Sequence, residues 1–292
     1  MQSSNPVFRR TEGFNGQGSR AYAGNGISYP GYGAPTQPAP GHPQAGWDPR
    51  AQYAPQQLDQ GRMTVDSVVQ KTAITMGVVV AAAAVTWLLT GNVYDADSAS
   101  TLYMLSMLGA LGGFALAMVN SFKRVVSPAL VLAYAVLEGI FVGAFSKVIE
   151  GVFGDPSQPG LVMGAVVGTL AAVFGTLAAY KFFDIKVGQK FRTWVVAAMF
   201  GFVAVSLLDF VLSFFDKSFG VNGFGTMGLV MSFIGLGLGV LMLILDFDFV
   251  ERGIEAGLPE RESWRAAFGL AVTIIWIYIE LLRILAILRG ND

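Results

Sequence analysis

The sequence contains no cysteine and only one histidine. Without cysteine, the protein cannot form disulfides, thiolate nucleophiles or cysteine-ligated zinc and iron–sulfur sites. The single histidine, His42, lies in a polar N-terminal stretch, so the apolar remainder of the chain has no histidine for a metal site, a proton relay or a catalytic triad. Any proton or cation chemistry in that remainder must therefore use carboxylates.

Charge is scarce as well. Charged residues make up 13% of the 292 residues, hydrophobic residues make up 53%, and the mean hydropathy is +0.55. So few charges cannot cover a water-soluble surface of this size, which indicates a surface that contacts the lipid bilayer. The formal net charge of -1 provides no basic field, so no nucleic-acid partner is expected.

Residues 1–62 are rich in Gly, Pro, Gln, Ser and Ala and contain no long apolar run. Such a segment cannot bury enough apolar area to offset the entropy of ordering its backbone, so it is predicted to be a disordered tail. It also lacks the apolar core of a cleaved signal peptide, so we expect the first membrane helix to act as the targeting signal. Residues 63–292 form the second predicted domain.

This second domain consists of apolar runs separated by short charged or Gly/Pro-containing breaks. Each run is close to the ~20 residues that a helix needs to cross a bilayer. Most runs lack a polar face, which excludes a soluble helical bundle. We therefore predict an all-α integral membrane protein with seven transmembrane helices. The runs lie near residues 69–90, 101–120, 127–149, 160–182, 193–215, 225–249 and 266–288.

The distribution of lysine and arginine among the breaks predicts the orientation. Cations are concentrated around the breaks after the second and fourth runs, and short loops rich in Lys and Arg face the cytoplasm. The last break carries acids as well, but its arginines agree with the same side. We therefore expect a multi-pass protein of the cell (plasma) membrane with a cytoplasmic tail and an external C-terminus. The cations that decide this are Lys123, Arg124, Lys181, Lys186, Lys190 and Arg192.

Ionisable residues inside the predicted spans are few. Each costs a few kcal/mol in hydrocarbon and so needs a partner, a water-filled cavity or a function. Glu280 and Arg283 are three residues apart and can pair on one face of their helix, and Asp248 can pair with Arg252 in the same way. Asp209 precedes a charged break and is expected to be hydrated near the outer surface. The full set is Glu138, Asp209, Asp246, Asp248, Glu280 and Arg283.

Glu138 lies mid-span with no basic residue within one turn, so it is expected to face the interior of the bundle. It is either a protonated, hydrogen-bonded carboxyl that ties helices together or part of a functional acidic cluster. Carboxylates are preferred ligands of hard cations, so Glu138, Asp246 and Glu280 are candidate ligands of a calcium ion. Asp246 and Asp248 point about 200° away from each other on a helix and are not expected to share a ligand. No tightly bound cofactor is expected, and calcium or protons are the expected partners.

Three segments carry a resemblance to a known family. They are Glu138-Gly139, Leu245-Asp246-Phe247-Asp248-Phe249-Val250-Glu251, and Trp276-Ile277-Tyr278-Ile279-Glu280-Leu281-Leu282-Arg283-Ile284-Leu285. By the order and spacing of these segments, residues from about 63 to 288 resemble the Bax inhibitor-1 (transmembrane Bax inhibitor motif) family, in a bacterial-type branch. The resemblance implies a helical bundle with a central seventh helix, and a pH-sensitive calcium leak across the membrane.

The resemblance also implies a pH-sensitive latch between an aspartate of the sixth helix and one of the seventh. The first position falls on Asp246 or Asp248, and the second falls on Glu280 in Tyr278-Ile279-Glu280. The longer acid and the presence of Arg283 one turn away depart from the family pattern and change the pH response that the resemblance implies.

Two functions are compatible with these residues. One is a cation leak, with Glu138, Asp246 or Asp248, and Glu280 lining or closing the path and Arg283 beside it. The other is a non-conducting membrane adaptor that modulates membrane proteases or other membrane proteins, with structural polar groups. The chain shows no recognisable intramembrane protease motif, so an enzyme is not expected.

Overall fold

A computed structural model describes residues 61–91, 93–154, 160–183 and 185–290. Within these ranges the chain forms seven α-helices. Of the predicted disordered tail, residues 1–60 lie outside the described residues. The helices are α1 (Val65–Leu89), α2 (Ala96–Phe122), α3 (Pro128–Phe153), α4 (Leu161–Phe182), α5 (Gln189–Ser213), α6 (Thr226–Glu255) and α7 (Glu262–Gly290).

All seven of these helices are long and apolar enough to cross a membrane, which confirms the predicted seven-helix architecture. Several helices extend past the apolar runs: α2 begins at Ala96 rather than near residue 101, and α6 continues to Glu255 rather than ending near residue 249. Hydropathy detects the part of a helix that lies in hydrocarbon, whereas the backbone hydrogen bonds continue into the polar interface. The helical turns that lie beyond the apolar runs therefore contain charged residues.

Helix α7 lies at the centre of the bundle. It packs against α1, α3, α4 and α6, and 67% of its most apolar stretch is buried, compared with 39% or less for the other six helices. The outer helices instead expose large apolar side chains such as Leu88, Phe114 and Phe174, as expected for surfaces that contact lipid. The central seventh helix that the family resemblance implies is thus present.

Helices α1, α2 and α3 approach each other closely at glycines. A Cβ atom added to Gly139 or Gly143 of α3 would lie 2.5 Å from the carbonyl oxygen of Val79 or Ala83 of α1, respectively. A Cβ on Gly109 of α2 would lie 2.7 Å from a backbone nitrogen of α3. Since there is no room for a side chain, only glycine permits these backbone contacts.

The alternation of the helices places the loops in two sets. We call one the basic end, which comprises residues 62–64 and the α2–α3, α4–α5 and α6–α7 loops. Arg265 Nη2 of α7 donates to the carbonyl of Arg124 at 2.9 Å, and Arg252 Nη2 of α6 donates to that of Val187 at 2.6 Å. The helix ends that flank the α6–α7 loop therefore contact the other two loops. The other loops and the C-terminal end of α7 form the distal end. The cation-rich breaks therefore share one end, and the side of the membrane on which it lies stays a prediction.

Met63, the first residue of the predicted membrane domain, is buried at the basic end with 1% of its surface exposed. Its N–H donates to the carbonyl of Leu258 in the α6–α7 loop at 2.8 Å, and its side chain packs near Gly253. Lys71 of α1 also forms an ion pair with Glu260 of this loop at 2.7 Å. The start of α1 is therefore fastened to the loop that precedes the central helix.

Candidate functional site

The antiparallel helices α6 and α7 meet along an interface that carries polar side chains at several depths. We call this interface the α6–α7 seam. Helical packing brings residues near 246 of α6 opposite residues 269–273 of α7, and residues near 235 opposite residues 276–280. The residues that define the seam are Ser232, Gly235, Gly239 and Asp246 of α6, and Gly269, Thr273, Trp276, Glu280 and Arg283 of α7.

Asp246 faces α7, whereas Asp248 does not. The Thr273 hydroxyl donates to Asp246 Oδ2 at 2.6 Å, and the other carboxylate oxygen lies beside Gly269. Asp248 is buried and pairs with Arg192 of α5 at 2.5 Å and with Arg252 of α6 at 2.9 Å. The two aspartates thus point to different neighbours, as their spacing predicts. Of the two, Asp246 is the residue at the seam, and Asp248 joins α6 to α5.

Glu280 is buried in the seam and pairs with Arg283, whose Nη1 lies 3.3 Å from Oε2 of the carboxylate. This is the pair that the three-residue spacing predicts. The carboxylate lies against α6, where a Cβ on Gly235 would be only 2.7 Å from Oε1. The buried Ser232 hydroxyl is also close to it. Glu280 therefore occupies a recess that exists because residue 235 has no side chain.

Arg283 connects the seam to the α5–α6 loop. Its Nη2 atom donates to the carbonyls of Val221 at 3.0 Å and Gly223 at 3.2 Å. With the bond to Glu280, these contacts place the guanidinium between a carboxylate and two carbonyl oxygens. Arg283, the only basic residue predicted to lie deep within a span, is thus held in the distal half of the seam.

Asp209 organises the same loop. Its Oδ1 atom accepts from the Phe219 N–H at 2.6 Å and from the Ser218 hydroxyl at 3.0 Å, while Oδ2 accepts from the Asn222 N–H at 2.9 Å. Only 1% of Asp209 is exposed, so the prediction of a hydrated carboxylate is wrong. The loop folds back over the end of α5 and supplies the polar partners that water would otherwise supply. The polar, Asn- and Gly-containing stretch that follows α5 is the signal that sequence reasoning missed.

Glu138 lies away from the seam. It is half-buried in α3 and faces α2, where a Cβ on Gly113 would lie 2.5 Å from its Oε2. Helix α2 packs on α3 and has no packing contact with α6 or α7 in the described part of the chain. The expected cluster of Glu138, Asp246 and Glu280 is therefore not formed. Sequence periodicity predicts on which face of its helix a residue lies, but it does not predict which neighbouring helix packs against that face.

The described residues contain no group of three or more acidic or histidine side chains that could hold a metal ion. Asp246 and Glu280 share the seam but sit at different depths, since Thr273 and Glu280 are seven residues, or about 10 Å, apart along α7. The hydrogen-bond partner of Asp246 on α7 is thus Thr273 rather than Glu280. A calcium site made by Glu138, Asp246 and Glu280 together is not present in this arrangement.

Trp276 separates the two polar parts of the seam. Its indole N–H donates to the carbonyl of Gly235 at 3.0 Å, and its ring packs edge-on against Phe202 of α5, with 5.4 Å between ring centroids. Trp276 belongs to the segment that carries the family resemblance, but no role was predicted for it, since an aromatic residue in an apolar span is usually part of the core. The seam therefore consists of the Asp246–Thr273 pair, an aromatic pair, and the Glu280–Arg283 pair.

These features define a multi-pass membrane protein with charged and polar groups buried along its central helix. The sequence model of the family described as "Bax inhibitor 1 like" matches residues 5–290, so the chain belongs to this family. The match begins earlier than the resemblance over residues 63–288 indicated.

One relative is an uncharacterized protein of Chlamydia muridarum (strain MoPn / Nigg), which is 29% identical over 162 residues. The match covers 54% of this chain and 63% of that protein, so the chain spans less than two thirds of the relative's length.

Proposed function

We propose that this protein is a pH-sensitive cation leak, with calcium as its expected substrate and the α6–α7 seam as its path. The observation that carries the proposal is that two carboxylates, Asp246 and Glu280, face the same helix interface at two depths of the membrane domain. Ionisable groups are costly in hydrocarbon and commonly mark ion pathways. A pair of acids at successive depths offers a cation two places to rest.

The chemistry of the seam suits a hard cation. The groups along it are oxygen ligands: the carboxylates of Asp246 and Glu280, the hydroxyls of Ser232 and Thr273, and nearby backbone carbonyls. Calcium prefers oxygen ligands in flexible geometry. Because these groups are spread along the seam, they support passage of an ion better than tight binding of one.

Protonation supplies the expected pH sensitivity. A protonated Glu280 loses both its attraction for a cation and its ion pair with Arg283. The other titratable groups on or against these helices also have partners. Asp246 bonds to Thr273, Asp248 pairs with Arg192 and Arg252, Glu251 accepts from the Tyr180 hydroxyl, Glu262 pairs with Arg265, and the Tyr278 hydroxyl bonds to Ser146. We assign the pH response to Glu280 because its ion pair is the one that joins the seam to the α5–α6 loop.

Calcium flux into proteoliposomes, measured across a range of pH, tests the proposal. We expect flux in the wild-type protein, reduced flux in Asp246→Asn, and an altered pH profile in Glu280→Gln. Glu138→Gln is the matched control, because Glu138 faces α2 and should leave flux unchanged. If Glu138→Gln alone alters flux, the path lies between α2 and α3 rather than at the seam.

A non-conducting membrane adaptor is the second candidate. The observation that favours it is that the deepest charges are already paired, Glu280 with Arg283 and Asp248 with Arg192 and Arg252. Such buried pairs can be purely structural, with no role in the passage of an ion. An absence of cation flux at every pH, in protein that melts cooperatively, would favour this function.

We further propose that the protein is not an enzyme, holds no tightly bound cofactor, and lies in the plasma membrane with its basic end in the cytoplasm. The support for this orientation is the concentration of Lys and Arg in the α2–α3 and α4–α5 connections. Reporter fusions to residue 292 that read as cytoplasmic would overturn it.

A further inference from the structure

We propose that Trp276 and Phe202 form an aromatic gate that closes the α6–α7 seam between its two polar parts. This inference rests on the proposed function, since a gate requires a path. The aromatic gate lies between the Asp246–Thr273 pair on the basic side and the Glu280–Arg283 pair on the distal side. Trp276 is three residues from Thr273 and four from Glu280, or about 4.5 and 6 Å along the helix axis.

The gate is built into the shape of α6. A Cβ on Gly239 would lie 3.0 Å from Cδ1 of Trp276, and a Cβ on Gly235 would lie 3.0 Å from Cζ of Phe202. Two glycines one turn apart therefore provide the recess that admits both rings. Apolar constrictions of this kind close a pathway by excluding water. The rings thus prevent the polar groups on the two sides from sharing hydration.

The position of Gly235 couples the gate to the charge beside it. The backbone carbonyl of Gly235 accepts the Trp276 N–H, and the missing side chain of the same residue makes room for the Glu280 carboxylate. A cation that draws Glu280 away from Gly235 therefore changes the packing at the residue that holds Trp276. The aromatic gate therefore responds to a cation bound beside the Glu280–Arg283 pair.

The chain has no native cysteine, so a single introduced cysteine can report on access to the seam. The experiment uses Thr273→Cys in full-length protein reconstituted with known orientation. A membrane-impermeant charged methanethiosulfonate reagent is added on the side where the distal end lies. We expect slow modification in the presence of Trp276, and severalfold faster modification when Trp276→Ala or Phe202→Ala is added.

Matched controls come from the lipid-facing side of α5. Trp194 and Phe200 are 76% and 71% exposed, so Trp194→Ala and Phe200→Ala should leave the modification rate unchanged. The two gate variants are made separately. If one of them does not unfold cooperatively, the other still tests the gate. Should neither folded gate variant accelerate modification beyond its control, the gate is wrong.

The reagent experiment does not depend on ion transport. Faster modification in the gate variants together with no calcium flux at any pH would support the gate as a barrier to water and overturn the cation leak. Calcium flux in the wild type with unchanged modification rates would support the leak and overturn the gate.

Discussion

The Glu280 carboxylate occupies the space that a side chain at Gly235 would fill, with Oε1 only 2.7 Å from the position of the missing Cβ. Gly235→Ala must displace that carboxylate or the nearby Phe202 ring. Overpacking of this kind costs about 1–3 kcal/mol, more than the gain of up to about 1 kcal/mol expected from the helix propensity of alanine. We therefore expect Gly235→Ala to lower the thermal unfolding midpoint in detergent.

Gly237→Ala provides the control, since a Cβ on Gly237 would meet nothing within 4 Å. This substitution should leave the midpoint unchanged or raise it slightly. Equal midpoints for the two alanine variants would contradict the close packing of Glu280 against α6.

Arg283 is expected to matter more for stability than Glu280. Arg283→Ala leaves the buried Glu280 without its cation and the carbonyls of Val221 and Gly223 without a donor. Breaking a buried pair by removing one partner costs about 3–5 kcal/mol. Glu280→Gln should cost less than Arg283→Ala, because the amide can still accept a hydrogen bond and Arg283 keeps the carbonyls of Val221 and Gly223 as acceptors. Thermal unfolding of both variants and of the double variant checks this. The double variant should be more stable than the sum of the single effects implies, and strict additivity would argue against direct pairing.

Asp209 is expected to hold the α5–α6 loop in place. Asp209→Asn weakens the charge-assisted bonds to the N–H groups of Phe219 and Asn222 and should cost about 1–3 kcal/mol. Hydrogen exchange of residues 214–225 should accelerate in this variant. Asp216→Asn is the control, because Asp216 is exposed and asparagine tolerates its positive φ of 56°. Unchanged exchange in Asp209→Asn would remove Asp209 from this role.

Met63 is expected to mark the boundary between a dispensable N-terminal segment and the part of the chain that folding requires. Deletion of residues 1–60 should leave insertion and thermal unfolding unchanged, since these residues precede every span. Met63→Ala in the full chain should cost about 2–5 kcal/mol, because it empties a buried position. Met227→Ala, at a residue that is 54% exposed, should have little effect. A deletion that prevents insertion would show that the tail takes part in folding.

The number and positions of the helices could be predicted because hydrocarbon imposes a simple requirement. A spanning segment must satisfy its own backbone hydrogen bonds and present apolar side chains over the bilayer thickness. Both requirements depend on a single continuous run of sequence. The same local character explains the Glu280–Arg283 pair, since residues three apart on a helix always lie near each other.

Pairing between helices could not be predicted in this way. Glu138 and Glu280 both lie within apolar runs of the sequence, yet one faces α2 and the other faces α6. The difference depends on which helices are neighbours and how each is rotated, and glycines at positions 113 and 235 decide it by leaving room. The place of Trp276 in the seam could not be predicted for the same reason, because only the packed structure shows that its ring lies between two polar groups.

The glycine contacts that join α1, α2 and α3 also limit how the molecule can move. Where backbone meets backbone at Gly139 and Gly143, sliding would require atoms to pass through one another, because no flexible side chain lies between them to yield. These three helices are therefore expected to stay together as one rigid unit. Any rearrangement of α5, α6 or α7 is best followed relative to that unit, with one distance label on α1 or α3 and the other on α6.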